Sequence, residues 1–324
     1  MKVLVTGANG FLATRVILEL TNEGLAVRGM LRDSRKFLLP VNPLIELVLG
    51  NVEDRASVDQ ALIGCTHVIH AAALTAQNET DYNRYHAVNV LGTENVWKAS
   101  QRAGIKKFVF VSTANTLGYG TVDMPGNEGN LMRAPFLRSL YAQSKKAAER
   151  LLTEGSPDTA AIIVHPTFLL GAYDAGPSSG KILTMIYNKR FVLCPPGGKN
   201  FIHVQDAAKG VVKALMEGRP GEKYLLANEN LSYREFFDLA SNFLPRKPKL
   251  VPIPRWLLKP MGYAGDFLRS LGLRTSVSSV NMAILGIHNY YDNSKARKKF
   301  QIEFQSTRTA IEEAIRWFEE NRMV

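Results

Sequence analysis

Val3-Leu4-Val5-Thr6-Gly7-Ala8-Asn9-Gly10-Phe11-Leu12-Ala13 reads as a buried strand, a tight turn and the first turn of a helix. Glycine tolerates positive φ and lets backbone N–H groups come close to an anion. The helix N-terminus behind it adds partial positive charge, so the turn suits a pyrophosphate. Ala13 puts the next smallest side chain where a third glycine often lets helix and sheet approach. The spacing is Gly-x-x-Gly-x-x-Ala rather than the commoner Gly-x-Gly-x-x-Gly. Gly7, Asn9, Gly10, Phe11 and Leu12 are therefore expected to hold a dinucleotide.

The chain behind this turn repeats the pattern. Strand-length apolar runs occur at Lys2–Val5, Ala26–Leu31, Ile45–Leu49, His67–His70, Phe108–Val111 and Ala160–Val164. Helix-like stretches lie between most of them, at Phe11–Asn22, Ala56–Ile63, Tyr82–Arg102 and Tyr141–Glu154. Short apolar strands alternating with helices predict a doubly wound α/β fold with a parallel sheet covered on both faces. Ligands then bind at the carboxyl ends of the strands. Residues 1–170 are expected to form this dinucleotide-binding Rossmann domain. Residues 171–324 are less regular and are expected to form a smaller mixed α/β part that binds and caps the substrate, with some segments returning to the first domain. The final amphipathic helix is expected at Thr307–Glu320.

Composition narrows the class. Of 324 residues, 46% are hydrophobic, enough for a core and too few for a multi-span membrane protein. No apolar run reaches the ~18 residues of a transmembrane helix. Met1-Lys2 passes straight into the first strand, so no leader peptide is expected. The two cysteines, Cys65 and Cys194, stand far apart without His or Cys at metal spacing; neither a metal site nor a disulfide is expected, and a cytoplasmic setting fits. The net charge is +11, but the basic residues are scattered and no nucleic-acid-binding motif accompanies them. Arg255–Leu273 is amphipathic and could touch a membrane surface or a partner, although its Gly and Pro content favours packing within the protein.

Tyr141 and Lys145 lie four apart in Leu140–Glu149, a stretch free of Gly and Pro, so both face the same way on a helix. An ammonium beside a phenol favours the phenolate and lowers its pKa. Tyr141 thus becomes a candidate general acid/base. At the end of the second strand, Leu31 meets Arg32, and Asp33 follows. An acid at the strand end would hold the ribose hydroxyls of NAD; Arg32, with Arg35 or Lys36, would instead pair with a 2′-phosphate. NADP(H) is therefore expected over NAD(H).

Together these segments resemble the extended short-chain dehydrogenases/reductases of the NAD-dependent epimerase/dehydratase superfamily. The resemblance spans nearly the whole chain: Thr6-Gly7-Ala8-Asn9-Gly10, Gly50-Asn51-Val52, His70-Ala71-Ala72-Ala73, Asn89-Val90-Leu91-Gly92-Thr93, Val111-Ser112-Thr113-Ala114, Tyr141-x-x-x-Lys145, His165-Pro166-Thr167 and Phe201–Asp206. Within the superfamily it is most similar to the dihydroflavonol-reductase and 3β-hydroxysteroid-dehydrogenase branch.

The resemblance implies that Asn51, Val52, Ala71, Ala72, Ala73, His165, Pro166 and Thr167 line the cofactor, with Asn51 where the family usually has Asp. Thr113 takes the place of a catalytic Ser, with Ser112 as the alternative hydroxyl. Lys145 would bond the nicotinamide ribose. The expected function is NADP(H)-dependent hydride exchange between the nicotinamide and a carbonyl or secondary alcohol, with Tyr141 as acid/base. The alternatives are a sugar-nucleotide epimerase or dehydratase using bound NAD, and a non-catalytic NADP(H)-binding regulatory module. A small-molecule substrate, no nucleic acid, no stable membrane insertion and a homodimer complete the expectations. Leu74–Arg84, Thr116–Leu140 and Phe168–Pro196 are expected around the pocket.

Overall fold

The computed structural model describes residues 1–153, 160–273 and 275–324. Strand β1 (Lys2–Thr6) leads through Gly7–Gly10 into α1 (Phe11–Asn22), followed by β2 (Ala26–Leu31), β3 (Ile45–Leu49), α2 (Arg55–Leu62) and β4 (His67–His70). Helix α3 (Tyr82–Tyr85) continues through a π-helical His86–Leu91 into α4 (Gly92–Arg102), and β5 (Lys107–Val111), α5 (Leu140–Thr153) and β6 (Ile162–Pro166) follow. The fourth expected helix is thus found one residue earlier; its expected last residue, Glu154, lies outside the described residues. The sixth strand starts two residues later than its apolar run and carries His165 and Pro166 at its end.

After Thr167 the chain leaves the first sheet. It forms β7 (Phe168–Leu170), α6 (Lys181–Ile186), β8 (Phe191–Cys194), β9 (Gly198–His203), α7 (Val204–Glu217), β10 (Lys223–Leu226), β11 (Glu229–Ser232) and α8 (Tyr233–Ala240). Then come β12 (Lys249–Pro252), α9 (Arg255–Ser270), α10 (Ser279–Leu285), β13 (His288–Asn289), α11 (Ser294–Phe300) and α12 (Thr307–Glu320).

Seven parallel strands form the main sheet in the order β10-β6-β5-β4-β1-β2-β3. From β1 the chain winds outward to β2 and β3, then returns to β4 on the other side. The β1/β4 boundary is therefore the switch point, where the loops after two neighbouring strands part and leave a crevice. One face of the sheet packs on α1 and α7 through Val16, Ile17, Leu20, Ala207 and Val211. The other packs on α2, α4 and α5 through Val58, Val96, Ala99, Ala148 and Leu152. The doubly wound reading holds, and β10 joins the same sheet from the C-terminal half. A four-stranded sheet around β9, with β7, β11 and β13, forms a second wall. β6 belongs to the first sheet and β7 to the second, so Pro166-Thr167 joins the two walls.

Candidate active site

The turn after β1 has the geometry its glycines allow. Gly7 has φ +68°, and the Gly10 N–H donates to the Gly7 carbonyl at 2.8 Å. Gly10 is the N-cap of α1 without any side-chain cap, so the turn leaves the first amides of the helix for an anion. A Cβ on Gly7 would come within 2.8 Å of Ala72 Cα; glycine brings the loops after β1 and β4 together. Thr6 Oγ1 accepts from the Ala71 and Ala72 N–H groups at 3.2 and 3.1 Å. It also bonds His70 Nδ1 at 2.7 Å, while His70 Nε2 bonds Thr93 Oγ1 at 2.9 Å. Burial, then the nearby Lys145 charge, depresses the His70 pKa to about 3, so this ring is a neutral strut. The cradle fits a dinucleotide pyrophosphate.

A cavity of about 320 Å³ beside this loop is lined by Arg32, Glu53, Ala73, Leu74, Asn83 and Arg84. Arg32 is there as expected and Arg84 shares the cavity, but Arg35 and Lys36 do not line it. Arg35 is bound two-pronged by Asp33, at 2.9 and 3.0 Å, and Glu53 adds a carboxylate to the cavity. An added 2′-phosphate would meet that carboxylate and would find Arg35 already paired. Asn51 turns its side-chain oxygen to the Glu53 N–H (3.2 Å), and Val52 is buried against Gly92.

Tyr141 and Thr113 come together. The Thr113 hydroxyl lies near enough to the Tyr141 phenol to favour its phenolate, and Thr113 Oγ1 accepts from the Asn115 N–H at 3.3 Å. Ser112 is turned elsewhere: its hydroxyl donates to Glu149 Oε1 at 2.5 Å. Between these two hydroxyls, the geometry thus puts Thr113 beside the phenol. Lys145 is 1% exposed, donates to the Val111 carbonyl at 2.7 Å and lies 4.0 Å above the Phe110 ring.

The expected pKa lowering at Tyr141 is not found. Burial raises the phenol to about 12, with the Thr113 hydroxyl opposing. The ammonium of Lys145 is spent on Val111 and Phe110, and burial lowers its own pKa to about 7, with the Glu149 charge opposing. Without a ligand, Tyr141 is a proton donor at neutral pH.

Glu149, one turn beyond Lys145, was absent from the sequence-based set. Besides Ser112, its Oε1 accepts from Thr116 Oγ1 at 2.5 Å and meets His165 Nε2 at 3.0 Å, and its Oε2 accepts from Lys146 at 3.1 Å. Burial pushes this carboxyl up, but attraction to His165 and bonds from His165, Ser112 and Thr116 outweigh it and hold it well below the usual range. Ser112 and Thr116 flank Thr113, so Glu149 clamps the loop that carries the Thr113 hydroxyl. The spacing Tyr-x-x-x-Lys-x-x-x-Glu would have revealed it, since i, i+4 and i+8 share a helix side. His165 turns its side chain into this clamp.

Asn89, inside the π-helical segment, fixes a second wall: its amide bonds both Leu74 backbone groups and Ser144 Oγ. Pro166, Thr167, Phe168, Lys199 and Asn200 share a cavity with Thr113. Lys199 was also missed. It lies 4.7 Å above the Phe168 ring, and burial lowers its pKa to about 8. Asn200 is saturated, bonding Thr167, Asn228 and Asn230. Of the aromatic residues expected around the pocket, Phe168 lines it, whereas Phe136 is buried in packing and Tyr173 stacks under Arg15 at 5.1 Å. His203 caps α7 through the Gln205 N–H, and Asp206 accepts from the Gln305 N–H at 2.7 Å; both serve the fold.

A family model described as NAD dependent epimerase/dehydratase family matches residues 3–227. The 4-hydroxy-2-methyl-3-oxo-4-farnesyl-3,4-dihydroquinoline-1-oxide ketoreductase of Stigmatella aurantiaca is 30% identical, over 92% of this chain and 91% of its own. The crystal structure of gox2253 is 27% identical with TM-score 0.83, covering 98% of both chains. The Thermus thermophilus UDP-glucose 4-epimerase, solved with NAD, has TM-score 0.76 at 19% identity, covering 98% of this chain and 99% of its own. Five of the similar structures are named with NAD. With the paired Arg35 and the Glu53 carboxylate, this stands against the expected NADP(H) preference.

Proposed function

The chain belongs to the NAD dependent epimerase/dehydratase family, and from that premise we propose that it is an NAD(H)-dependent enzyme acting at a secondary alcohol or ketone carbon, with a nucleotide-sugar as substrate. The observation that carries the chemistry is the placement of the Thr113 hydroxyl close enough to the Tyr141 phenol to favour its phenolate. NAD(H), when bound, supplies hydride exchange at the carbon and, when oxidised, a positively charged ring. Gly7, Gly10 and the amides of α1 hold the pyrophosphate; Ala71–Ala73 and Pro166-Thr167 border the rest. Thr113 holds the substrate oxygen, and Tyr141 gives it a proton or takes one away. Lys145 and Glu149 keep that pair in place.

Lys199 favours the nucleotide-sugar. A half-buried amine in the same cavity as Thr113, driven to a pKa of about 8 by burial alone, gains most from a substrate that brings its own negative charge, as a sugar diphosphate does. In this reading the cofactor ends as it began, and the outcome is epimerisation or dehydration. The reading is tested by releasing the nucleotide retained on purification and then supplying UDP- and dTDP-sugars. Retained NAD and conversion of a sugar without net NADH formation support it.

A second reading is net reduction of a lipophilic ketone, as in the dihydroflavonol-reductase and 3β-hydroxysteroid-dehydrogenase branch. It is favoured by the whole-length similarity to the Stigmatella ketoreductase. NADH consumed one-for-one with ketone, and no reaction of the sugars, would select it.

A further inference from the structure

Helix α9 has two unlike faces. Leu258, Gly262 and Gly265 face inward. A Cβ on Gly262 would come within 2.7 Å of Ser279 Cα, and one on Gly265 within 2.4 Å of the Val277 carbonyl oxygen. The glycines therefore let α9 lie directly on the start of α10, as its composition suggested. Among the described residues, the opposite face is left exposed. Trp256 is 74% exposed, Tyr263 57% and Phe267 64%. At 3.6 residues per turn these three rings fall within about 40° of one another. Leu271 and Leu273 continue the exposed apolar surface past the helix end.

The charge around this stripe is one-sided. From Arg246 to Arg269 the sequence carries Arg246, Lys247, Lys249, Arg255, Lys259 and Arg269 against a single acid, Asp266. The first five are exposed, whereas Asp266 is half-buried and accepts from the Ser279 N–H at 3.1 Å. Aromatic side chains flanked by exposed cations suit the headgroup layer of a membrane, where rings enter the acyl boundary and Lys and Arg meet lipid phosphates. A second copy of the chain fits poorly, because a two-fold contact would set the same cationic patch against itself. Among the described residues no helix is long and apolar enough to cross a membrane. The 16 residues of α9, roughly 24 Å long, suit lying flat on one.

We propose that the outer face of α9 is a docking surface for an anionic lipid bilayer. Its mounting places that surface at the crevice. Arg138 Nη2 donates to Ser279 Oγ at 3.4 Å, tying α10 to the turn that leads into the Tyr141 helix. Arg269 Nη2 reaches the Gln77 carbonyl at 3.5 Å, in the loop beyond Ala73. Docking would bring the substrate side of the enzyme to the membrane plane. The docking itself does not depend on which substrate is turned over.

The test is flotation of the full chain with vesicles of phosphatidylcholine alone and with phosphatidylglycerol added. The protein is expected to float only with the anionic vesicles, to be released as salt is raised, and to show a blue shift of tryptophan emission on binding. A W256S/Y263S/F267S variant and a K247E/K259E variant should each bind at least about tenfold more weakly. Both should keep the wild-type melting temperature and turnover of a soluble substrate. A wild-type protein that stays in solution with anionic vesicles overturns the proposal, as do variants that bind unchanged. So does a concentration-dependent dimer that the triple serine variant abolishes without any vesicle binding, which would make the face a self-association surface.

Discussion

Two lysines enter the crevice from opposite walls. Lys145, on α5, donates to the Val111 carbonyl and has Glu149 one turn away as a source of negative charge. Among the described residues, the Lys199 ammonium, on β9, meets the Phe168 ring, and its pKa shift is caused by burial. The α5 wall is tied together before any ligand arrives: Ser112, Thr116, Lys146 and His165 all bind one carboxylate, and Thr113 lies between two of them in the chain. The β9 wall leaves its charge for a ligand to satisfy. Chemistry common to a family needs fixed geometry, whereas substrate choice needs a group whose energy changes on binding.

Substitutions on the two walls should therefore fail differently. Tyr141→Phe removes the proton carrier, so kcat should fall by about 10³-fold while NADH affinity, read by fluorescence, stays within about threefold. Glu149→Gln keeps the shape but loses the charge; kcat should fall by roughly 10- to 100-fold. Its acid limb should also change. The folded pKa of Glu149 lies below the unfolded value of 4.5, so it stabilises the protein above that pH and the gain is lost as pH falls. Glu149→Gln should flatten that loss in a pH series of thermal melts.

Lys145 gives the same direction of pH dependence in a higher window, because its folded pKa is also lowered, although here it is the charged form that burial disfavours. Its folded pKa of about 7 lies below the ordinary 10.5, so the folded state binds fewer protons between those values and stability rises with pH across that window. Lys145→Met should abolish the rise. A slope that survives would show that the ammonium is not desolvated as described.

On the β9 wall, Lys199→Met should raise KM for a diphosphate substrate by about 10-fold or more and leave kcat nearly unchanged. Loss of kcat with unchanged KM would move Lys199 to the chemical wall. The smallest effect is expected at Arg32→Ala. With Arg35 held by Asp33 and Glu53 nearby, the preference for NAD(H) should persist within about threefold. A large change of the ratio would give Arg32 a part in cofactor choice.

The same contrast governs what could be read from the chain. The first sheet was legible because Val3–Val5, Phe108–Val111 and their neighbours are continuous apolar runs between helices, a pattern set by burial on both faces. The second sheet was not, because β7, β11 and β13 have four residues or fewer and half-buried sides. Tyr141, Lys145 and Thr113 entered the candidate site by spacing and position, and the fold brings Thr113 to Tyr141. Glu149 escaped because a glutamate on a helix usually faces water; its spacing from Tyr141 and Lys145 was the one signal in the sequence, and the four donors converge on it only in the fold. Lys199 escaped because its meaning depends on Phe168, more than thirty residues away in sequence and adjacent only after β7 pairs with β9. The basic loop after β2 misled for a related reason: Arg35 counts as a cation in sequence, yet in the fold Asp33 has already claimed it.

That Tyr141 and Thr113 act as one unit on the substrate oxygen is tested most directly by a double-mutant cycle on turnover with Tyr141→Phe and Thr113→Val. The predicted result is strong non-additivity, with the double variant no slower than Tyr141→Phe alone. Losses that simply multiply would mean that the two hydroxyls work independently, and the account would fail.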